Sequence, residues 1–218
     1  MNEIMKMVKK DFLYLTSSAK SSLFVAFIIC FFMPFGSLAT CIVVPALMGY
    51  VLVYTSMAYE ERSKVELLNA SLPITRKELC SAKYIESILY VVGGCILSLI
   101  GTTLHLFSQL HLEARQVVEI LPGLMIMALI VGGIYIGIIL PVVFLLGTVK
   151  ARYYLMFSYI IVFMLANMSG GIQMSQGLLK VLNQRGSVLL SLGIVLAIGI
   201  LYVSYVISVK LWRKKDFK

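Results

Sequence analysis

His105, His111 and Glu113 are the residues whose types could together bind a metal ion, because imidazole and carboxylate groups are common zinc ligands. The alternative is that the histidines are ordinary solvated side chains of an outer loop. The four cysteines have no metal-ligand spacing, and thiols in apolar stretches commonly behave as small hydrophobic side chains. These cysteines are Cys30, Cys41, Cys80 and Cys95. We therefore predict no metal site and no bound cofactor.

The sequence lacks the residue patterns that catalysis would need. It has no embedded Ser/His pair, no paired aspartates and no HExxH motif, and it has no GxxxxGK[ST] phosphate loop. No predicted span carries an Asp, Glu, Lys or Arg near its middle, which argues against an ion-coupled carrier, although backbone carbonyls also coordinate sodium. We predict a protein that is not an enzyme and has no catalytic residues. Energy for uphill movement would have to come from a partner.

The composition indicates an integral membrane protein. Of the 218 residues, 60% are hydrophobic and only 13% are charged, whereas an average soluble domain has about 25% charged residues. The net charge of +9 comes from short basic clusters between long uncharged stretches. Cytoplasmic loops show this pattern and nucleic-acid grooves do not. We therefore expect contact with membrane lipid and no nucleic-acid partner.

Uncharged stretches predict an all-α fold with six transmembrane helices. The predicted spans are Ser21–Phe35, Leu38–Tyr59 and Ser87–Leu104, then one each between Glu119 and Lys150, between Arg152 and Lys180, and between Arg185 and Lys210. The first two form a hairpin that either crosses the membrane or dips in and returns. With the N-terminus inside, 16 Lys and Arg residues are cytoplasmic and 3 are outside. The positive-inside rule therefore predicts that both termini are cytoplasmic.

Residues 1–20 are predicted to form an amphipathic helix on the inner membrane surface. Its apolar face comprises Ile4, Met5, Val8, Phe12 and Leu15. Lys6, Lys9 and Lys10 lie mostly on the opposite face. The alternative is a plain basic flank without a defined face. A signal peptide is not expected, because no small-residue cleavage site follows the apolar stretch.

Most of the polar chemistry lies at residues 60–83, between the second and third spans. Ser63 and Glu66 have the spacing of a capping box, and Thr75 and Glu78 repeat it. Pro73 lies between the two boxes and disfavours a helical conformation at the residue before it.

This pattern predicts a short helix at Lys64–Ser71, a corner at Leu72–Ile74, and a second helix from Arg76 that continues into the third span. The short helix has an apolar face of Val65, Leu67 and Leu68. This face either rests on the membrane surface or docks onto a cytoplasmic protein. A rigid helix braced by a proline corner can transmit force, whereas a loose loop cannot.

The stretch from Glu60 to Tyr84 resembles the first cytoplasmic loop of ABC-2-type permeases, the membrane subunits of bacterial ABC exporters. The resemblance is carried by Glu66-Leu-Leu-Asn-Ala-Ser-Leu-Pro-Ile-Thr-Arg-Lys-Glu78, followed by Ala82-Lys83-Tyr84. The likeness includes short stand-alone permeases such as those of staphylococcal phenol-soluble-modulin exporters.

The resemblance implies one transmembrane permease domain over residues 1–218, in a bacterial plasma membrane. It implies a second permease chain, in a homodimer or heterodimer, and cytoplasmic ABC ATPase subunits that bind the ATP. The ATPase would dock on a coupling helix of Arg62, Ser63, Lys64, Val65, Glu66, Leu67, Leu68, Ser71, Leu72 and Pro73. The N-terminal helix would match the interfacial connecting helix of the family, and Asn167–Gly186 its membrane-dipping outer region.

The activity that the resemblance implies is outward movement of an amphipathic, lipid-like or peptide substrate. Gly132, Gly133 and Gly137 would permit close helix approach and Pro141 a kink, either for the transport path or for ordinary packing within one subunit. Two other classes of function stay open. One is a carrier or channel that works alone, and the other is a non-transporting immunity or scaffold protein.

Overall fold

The computed structural model describes residues 3–35, 38–63, 75–108, 114–168 and 171–214. These residues form helices and contain no strand. The helices are α1 (Glu3–Ser17), α2 (Lys20–Phe32), α3 (Leu38–Arg62), α4 (Arg76–Ser108), α5 (Ala114–Met168) and α6 (Gly171–Lys214), with a 3-10 turn at Met33–Phe35. The expected all-α fold class is therefore confirmed for the described part of the chain.

Several of these helices are long and apolar enough to cross a membrane. The candidate spans are Thr40–Arg62, Lys77–Leu104, Val117–Tyr154 and Leu190–Trp212. α1 and α2 meet at 88° and together pass the same test, which raises the number from 4 to at most 5. The protein is thus a multi-pass membrane protein. Many side chains of the fifth predicted span, between Arg152 and Lys180, lie outside the described residues.

α2 and α3 form an antiparallel hairpin whose turn lies far from the loop between α3 and α4. Phe31, near the end of α2, and Pro34, in the following 3-10 turn, pack against Gly101 of α4. Gly101 lies 18 residues beyond Lys83 on the same unbroken helix, which corresponds to about 27 Å along its axis. The hairpin therefore reaches a depth close to the thickness of a bilayer core of about 30 Å.

α5 is broken at Gly147, where φ is 74° and ψ is 168°. Glycine suits this position because a positive φ is unfavourable for residues that carry a Cβ atom. The Ser158 side chain lies near the Tyr135 hydroxyl, although a straight helix would separate these residues by about 35 Å. The chain therefore folds back at Gly147. The pronounced break lies six residues after Pro141, where a kink was expected.

The first half of α5 runs parallel to α6. A Cβ atom added at Gly193 would lie 2.9 Å from Ile130, and one added at Gly137 would lie 2.8 Å from Ile200. Because two parallel helices need a returning connection, residues 148–189 must bring the chain back to the end where α5 begins. Gly132 packs in the same close manner against Val91 of α4, so these close approaches occur within one chain.

Candidate functional site

The predicted coupling loop can be described from its two ends. Residues 64–74 lie outside the described residues, and with them lie Lys64, Val65, Glu66, Leu67, Leu68, Ser71, Leu72 and Pro73. Arg62 is the last residue of α3, and Ser63 follows it with its backbone N–H donated to the Tyr59 carbonyl at 2.9 Å. The candidate site consists of the contacts that hold these two ends.

Thr75 and Glu78 cap the start of α4. The Thr75 backbone N–H donates to Glu78 Oε2 at 2.8 Å, and the Glu78 backbone N–H donates to Thr75 Oγ1 at 3.3 Å. The Thr75 hydroxyl also donates to Glu78 Oε2, at 2.7 Å. These reciprocal bonds have capping-box geometry and define where the loop ends. Glu66, the predicted capping partner of Ser63, lies outside the described residues.

Lys83, within the second turn of α4, is the centre of a buried ion cluster. Its residue surface is only 2% exposed. Its Nζ lies 2.6 Å from Asp11 Oδ2, 3.2 Å from Ser56 Oγ, 3.2 Å from Glu60 Oε2 and 3.5 Å from Glu86 Oε2. These partners belong to α1, α3 and α4, so one ammonium group joins three helices.

Lys10 is the second cation of this cluster. Its Nζ lies 2.5 Å from Glu60 Oε1 and 3.4 Å from Asp11 Oδ1. Burial raises the pKa of Asp11, but the nearby Lys83 and Lys10 ammonium groups outweigh burial and hold this pKa below its usual value. Asp11 is therefore an ionised carboxylate at neutral pH and joins α1 to α4.

The buried face of α1 differs from the predicted apolar face. Val8 and Leu15 are buried and Ile4 is partly buried, but Met5 and Phe12 are each 52% exposed. Asp11 lies between Val8 and Leu15 on the buried face, because residues three or four positions apart share one side of a helix. Stacking of Tyr14 on Tyr59, with ring centroids 3.9 Å apart, fixes the same orientation. Of the predicted apolar face, Val8 and Leu15 therefore contact α3 and α4 or their neighbours, whereas Met5 and Phe12 lie on the surface of the protein.

Glu61 ties the end of α3 to the break in α5. Its Oε2 accepts the Thr148 backbone N–H at 2.7 Å and also the Thr148 hydroxyl. The Tyr54 hydroxyl donates to the Thr148 carbonyl at 3.4 Å. A carboxylate at this position satisfies a free N–H at the start of the helical segment after Gly147.

Tyr84 ties the start of α4 to the end of α6. Its hydroxyl lies 2.6 Å from Ser204 Oγ and 2.8 Å from Ser208 Oγ. One turn earlier, Ser81 Oγ lies 2.9 Å from the Tyr205 hydroxyl. The adjacent residues Lys83 and Tyr84 thus join α4 to α1 and α3 on one side and to α6 on the other.

Asp11, Glu60 and Glu86 were not among the site residues predicted from the sequence. One signal was available, because Asp11 is the only acidic residue between Glu3 and Glu60. A single acidic residue on a basic amphipathic helix predicts an ion pair with a buried cation elsewhere in the chain. His111 and Glu113, named above for a zinc site, lie outside the described residues.

The amino-acid sequence matches the family described as ABC-2 family transporter protein over residues 6–213. No curated protein and no solved structure matches the chain. The matched residues extend from α1 to the last turn of α6 and include the whole ion cluster. The predicted resemblance to ABC-2 permeases is thereby confirmed, whereas the likeness to phenol-soluble-modulin exporters stays a prediction. The chain, from its N-terminal helix to the end of its last one, belongs to the ABC-2 family of transporter proteins.

Proposed function

We propose that this protein is the membrane subunit of an ATP-driven exporter, moved by a separate cytoplasmic ABC ATPase that docks on residues 62–73. The observation that carries this proposal is the family match over residues 6–213. The chain has no phosphate loop of its own, so the ATP-driven step is assigned to the partner.

The contacts at the loop ends support a mechanical role for the loop. Glu60 and Glu61 connect its first end to α1 and α5. Lys83 and Tyr84 connect its second end to α1 and α6. Removing one partner of a buried ion pair costs about 3–5 kcal/mol, so these links hold when the loop is displaced. A push on the loop would therefore move five helices together.

The helix directions support six spans with both termini in the cytoplasm. The α2–α3 hairpin reaches about 27 Å beyond the level of Lys83. The first half of α5 is parallel to α6, so the chain between them has to cross back to the end where α5 begins. Arg62, Lys77 and the break at Gly147 lie at the end where α1 packs. The clustering of basic residues at that end agrees with a cytoplasmic side.

Two such chains would pair around the transport path, and residues 1–218 would form one permease domain. In the described residues, the buried ion pairs lie at the cytoplasmic end of the helices. A path without charge at its middle favours an amphipathic or lipid-like substrate, including a peptide, over a small ion.

The docking proposal is tested by replacing both Leu67 and Leu68 with Asp and measuring co-purification of ABC ATPase subunits with the permease from the membranes of its native host. We expect co-purification to fall at least about tenfold, because burying two unpaired carboxylates in place of apolar side chains carries a large free-energy cost. The double substitution of Asn69 and Ala70 with Asp is the matched control. It adds the same charge to the same loop away from the predicted apolar face.

Membrane insertion of both variants is measured by fractionation, so that loss of the protein is distinguished from loss of docking. ATPase retention by the leucine variant at the level of the control would refute docking on this face. Transport by the purified permease alone, without ATP, would instead support a carrier or channel.

A further inference from the structure

The ion cluster has more acidic than basic groups. Its carboxyl groups belong to Asp11, Glu60 and Glu86, and its ammonium groups belong to Lys10 and Lys83. If all five were ionised, the cluster would have a net charge of −1. The side chains of Asp11 and Glu86 are only 5% and 1% exposed. A surplus negative charge is costly at such a depth, because little water can solvate it.

The Lys83 ammonium group also has too few hydrogens for the oxygen atoms that surround it. An ammonium group has three hydrogens, and the nearest acceptors around Lys83 Nζ are Asp11, Ser56 and Glu60. Glu86 Oε2 is the most distant of the four contacts, at 3.5 Å. Its other oxygen, Oε1, accepts the Tyr90 hydroxyl at 2.9 Å. Within the described part of the chain, Oε2 is buried without a hydrogen-bond donor.

The Glu86 and Asp11 carboxyl groups are neighbours, because Asp11 Oδ2 and Glu86 Oε2 lie 2.6 Å and 3.5 Å from the same Lys83 Nζ. Two carboxylates have no hydrogen to place between them, whereas a carboxylic acid beside a carboxylate has one. We propose that Glu86 is a neutral carboxylic acid whose O–H donates a hydrogen bond to the Asp11 carboxylate. The cluster is then a proton-binding site that holds α1 against α4. The proton supplies the missing donor and brings the net charge of the cluster to zero.

The occupancy of this site depends on groups from three helices. Asp11 faces Glu86 from α1, and Lys83 and Tyr90 face it from α4. Lys10 of α1 and Glu60 of α3 act on Glu86 indirectly, because they bind Asp11 and Lys83. A cavity of about 10 Å³ beside Lys83, Asp11 and Glu60 has room for about one water molecule.

The sign of the pH effect follows from where the proton is bound. The packed state of α1 binds a proton that the displaced state releases, so packing is favoured at low pH and weakens as the pH rises. Once the proton has left, Glu86 and Asp11 repel each other across the α1–α4 contact. Displacement of α1 during a transport cycle would release the same proton.

The first test uses the purified permease in lipid nanodiscs without an ATPase. Infrared spectroscopy detects the C=O stretch of a protonated carboxylic acid, which shifts in deuterated water. We expect this band at about pH 6 in the unsubstituted protein and in the control Glu119→Gln, whose side chain is exposed. We expect the band to be absent in Glu86→Gln, where an amide of the same shape replaces the acid.

The variant Asp11→Asn tests whether the proton is shared. Without the Asp11 charge, Lys83 is available to Glu86, so Glu86 ionises and the band disappears. A band that persists in Glu86→Gln, or one that is missing from the unsubstituted protein, would overturn the proposal. A band that persists in Asp11→Asn but is absent from Glu86→Gln would show that Glu86 is protonated without a hydrogen bond to Asp11. That result would contradict the proposed link between α1 and α4.

The second test measures displacement of α1 by maleimide labelling. A cysteine at Met7 is buried against α4, and a cysteine at Met5 is exposed on the same helix. The ratio of the two rates removes the intrinsic effect of pH on thiol reactivity. Between about pH 6 and about pH 9 we expect the ratio of Met7→Cys to Met5→Cys labelling to rise severalfold. In a Glu86→Gln background the ratio should not change, and an equal rise there would contradict the proposal.

This inference does not depend on the proposed ATPase partner. Both experiments use the permease alone, so loss of ATPase docking and loss of the proton site are separate outcomes.

Discussion

Replacing Lys83 with Met would show how far the ion cluster holds together α1, α3 and α4. Methionine keeps most of the unbranched side-chain volume, so the main loss is the ammonium group. Its removal leaves the Asp11 and Glu60 carboxylates with Lys10 as their one cation among the described residues, at 3.4 Å and 2.5 Å.

The magnitude follows from the burial of these groups. Removing one partner of a buried ion pair costs about 3–5 kcal/mol, because the remaining charge is left uncompensated. The triple substitution Asp11→Asn, Lys83→Met and Glu86→Gln removes the charges together and keeps the pair between Lys10 and Glu60. Its cost should be below about 1 kcal/mol, since neutral replacements of buried pairs are often tolerated.

The assay is unfolding of the detergent-solubilised protein, followed by its single tryptophan, Trp212, which packs on Phe144 at the same end of the molecule. We expect the Lys83→Met variant to lose at least about 3 kcal/mol, which is about a hundredfold in the unfolding equilibrium. Lys77→Met is the control, because Lys77 is exposed on the first turn of α4. If Lys83→Met were as stable as Lys77→Met, the cluster would not hold these helices together.

Two further predictions concern packing and topology. A Cβ atom at Gly137 would lie 2.8 Å from Ile200, whereas one at Gly199 would meet nothing within 4 Å. In the same unfolding assay, Gly137→Ala should therefore destabilise the protein by about 1–3 kcal/mol. The control Gly199→Ala should be neutral or slightly stabilising. Equal effects of the two substitutions would contradict this packing. For topology, a membrane-impermeant thiol reagent added outside intact cells should label Gln109→Cys but not Lys77→Cys, and the reverse pattern would invert the orientation.

Several features of the chain followed from local sequence. The content of apolar residues and the positions of Lys and Arg indicated a multi-pass membrane protein, because a bilayer core excludes charged and unpaired polar groups. The pair Thr75 and Glu78 marked the start of a helix, because a capping box needs only residues three positions apart. The loop motif ending in Lys83 and Tyr84 indicated the ABC-2 family.

Other features depended on contacts between residues far apart in the chain. Local periodicity predicted one apolar face of α1 directed at the membrane surface. The docking of α1 on α3 and α4 buries Val8, Leu15 and Asp11 in protein, while Met5 and Phe12 stay exposed. Which part of this face contacts protein depends on helices that are distant in the sequence.

What the sequence determined alone was the environment of each segment, since the cost of placing a side chain in lipid or water depends mainly on that side chain. The tertiary structure decided which charges meet. Asp11 and Lys83 are 72 positions apart and yet lie 2.6 Å from each other. A pairing over that separation is set by the packing of whole helices, which no short stretch of residues specifies.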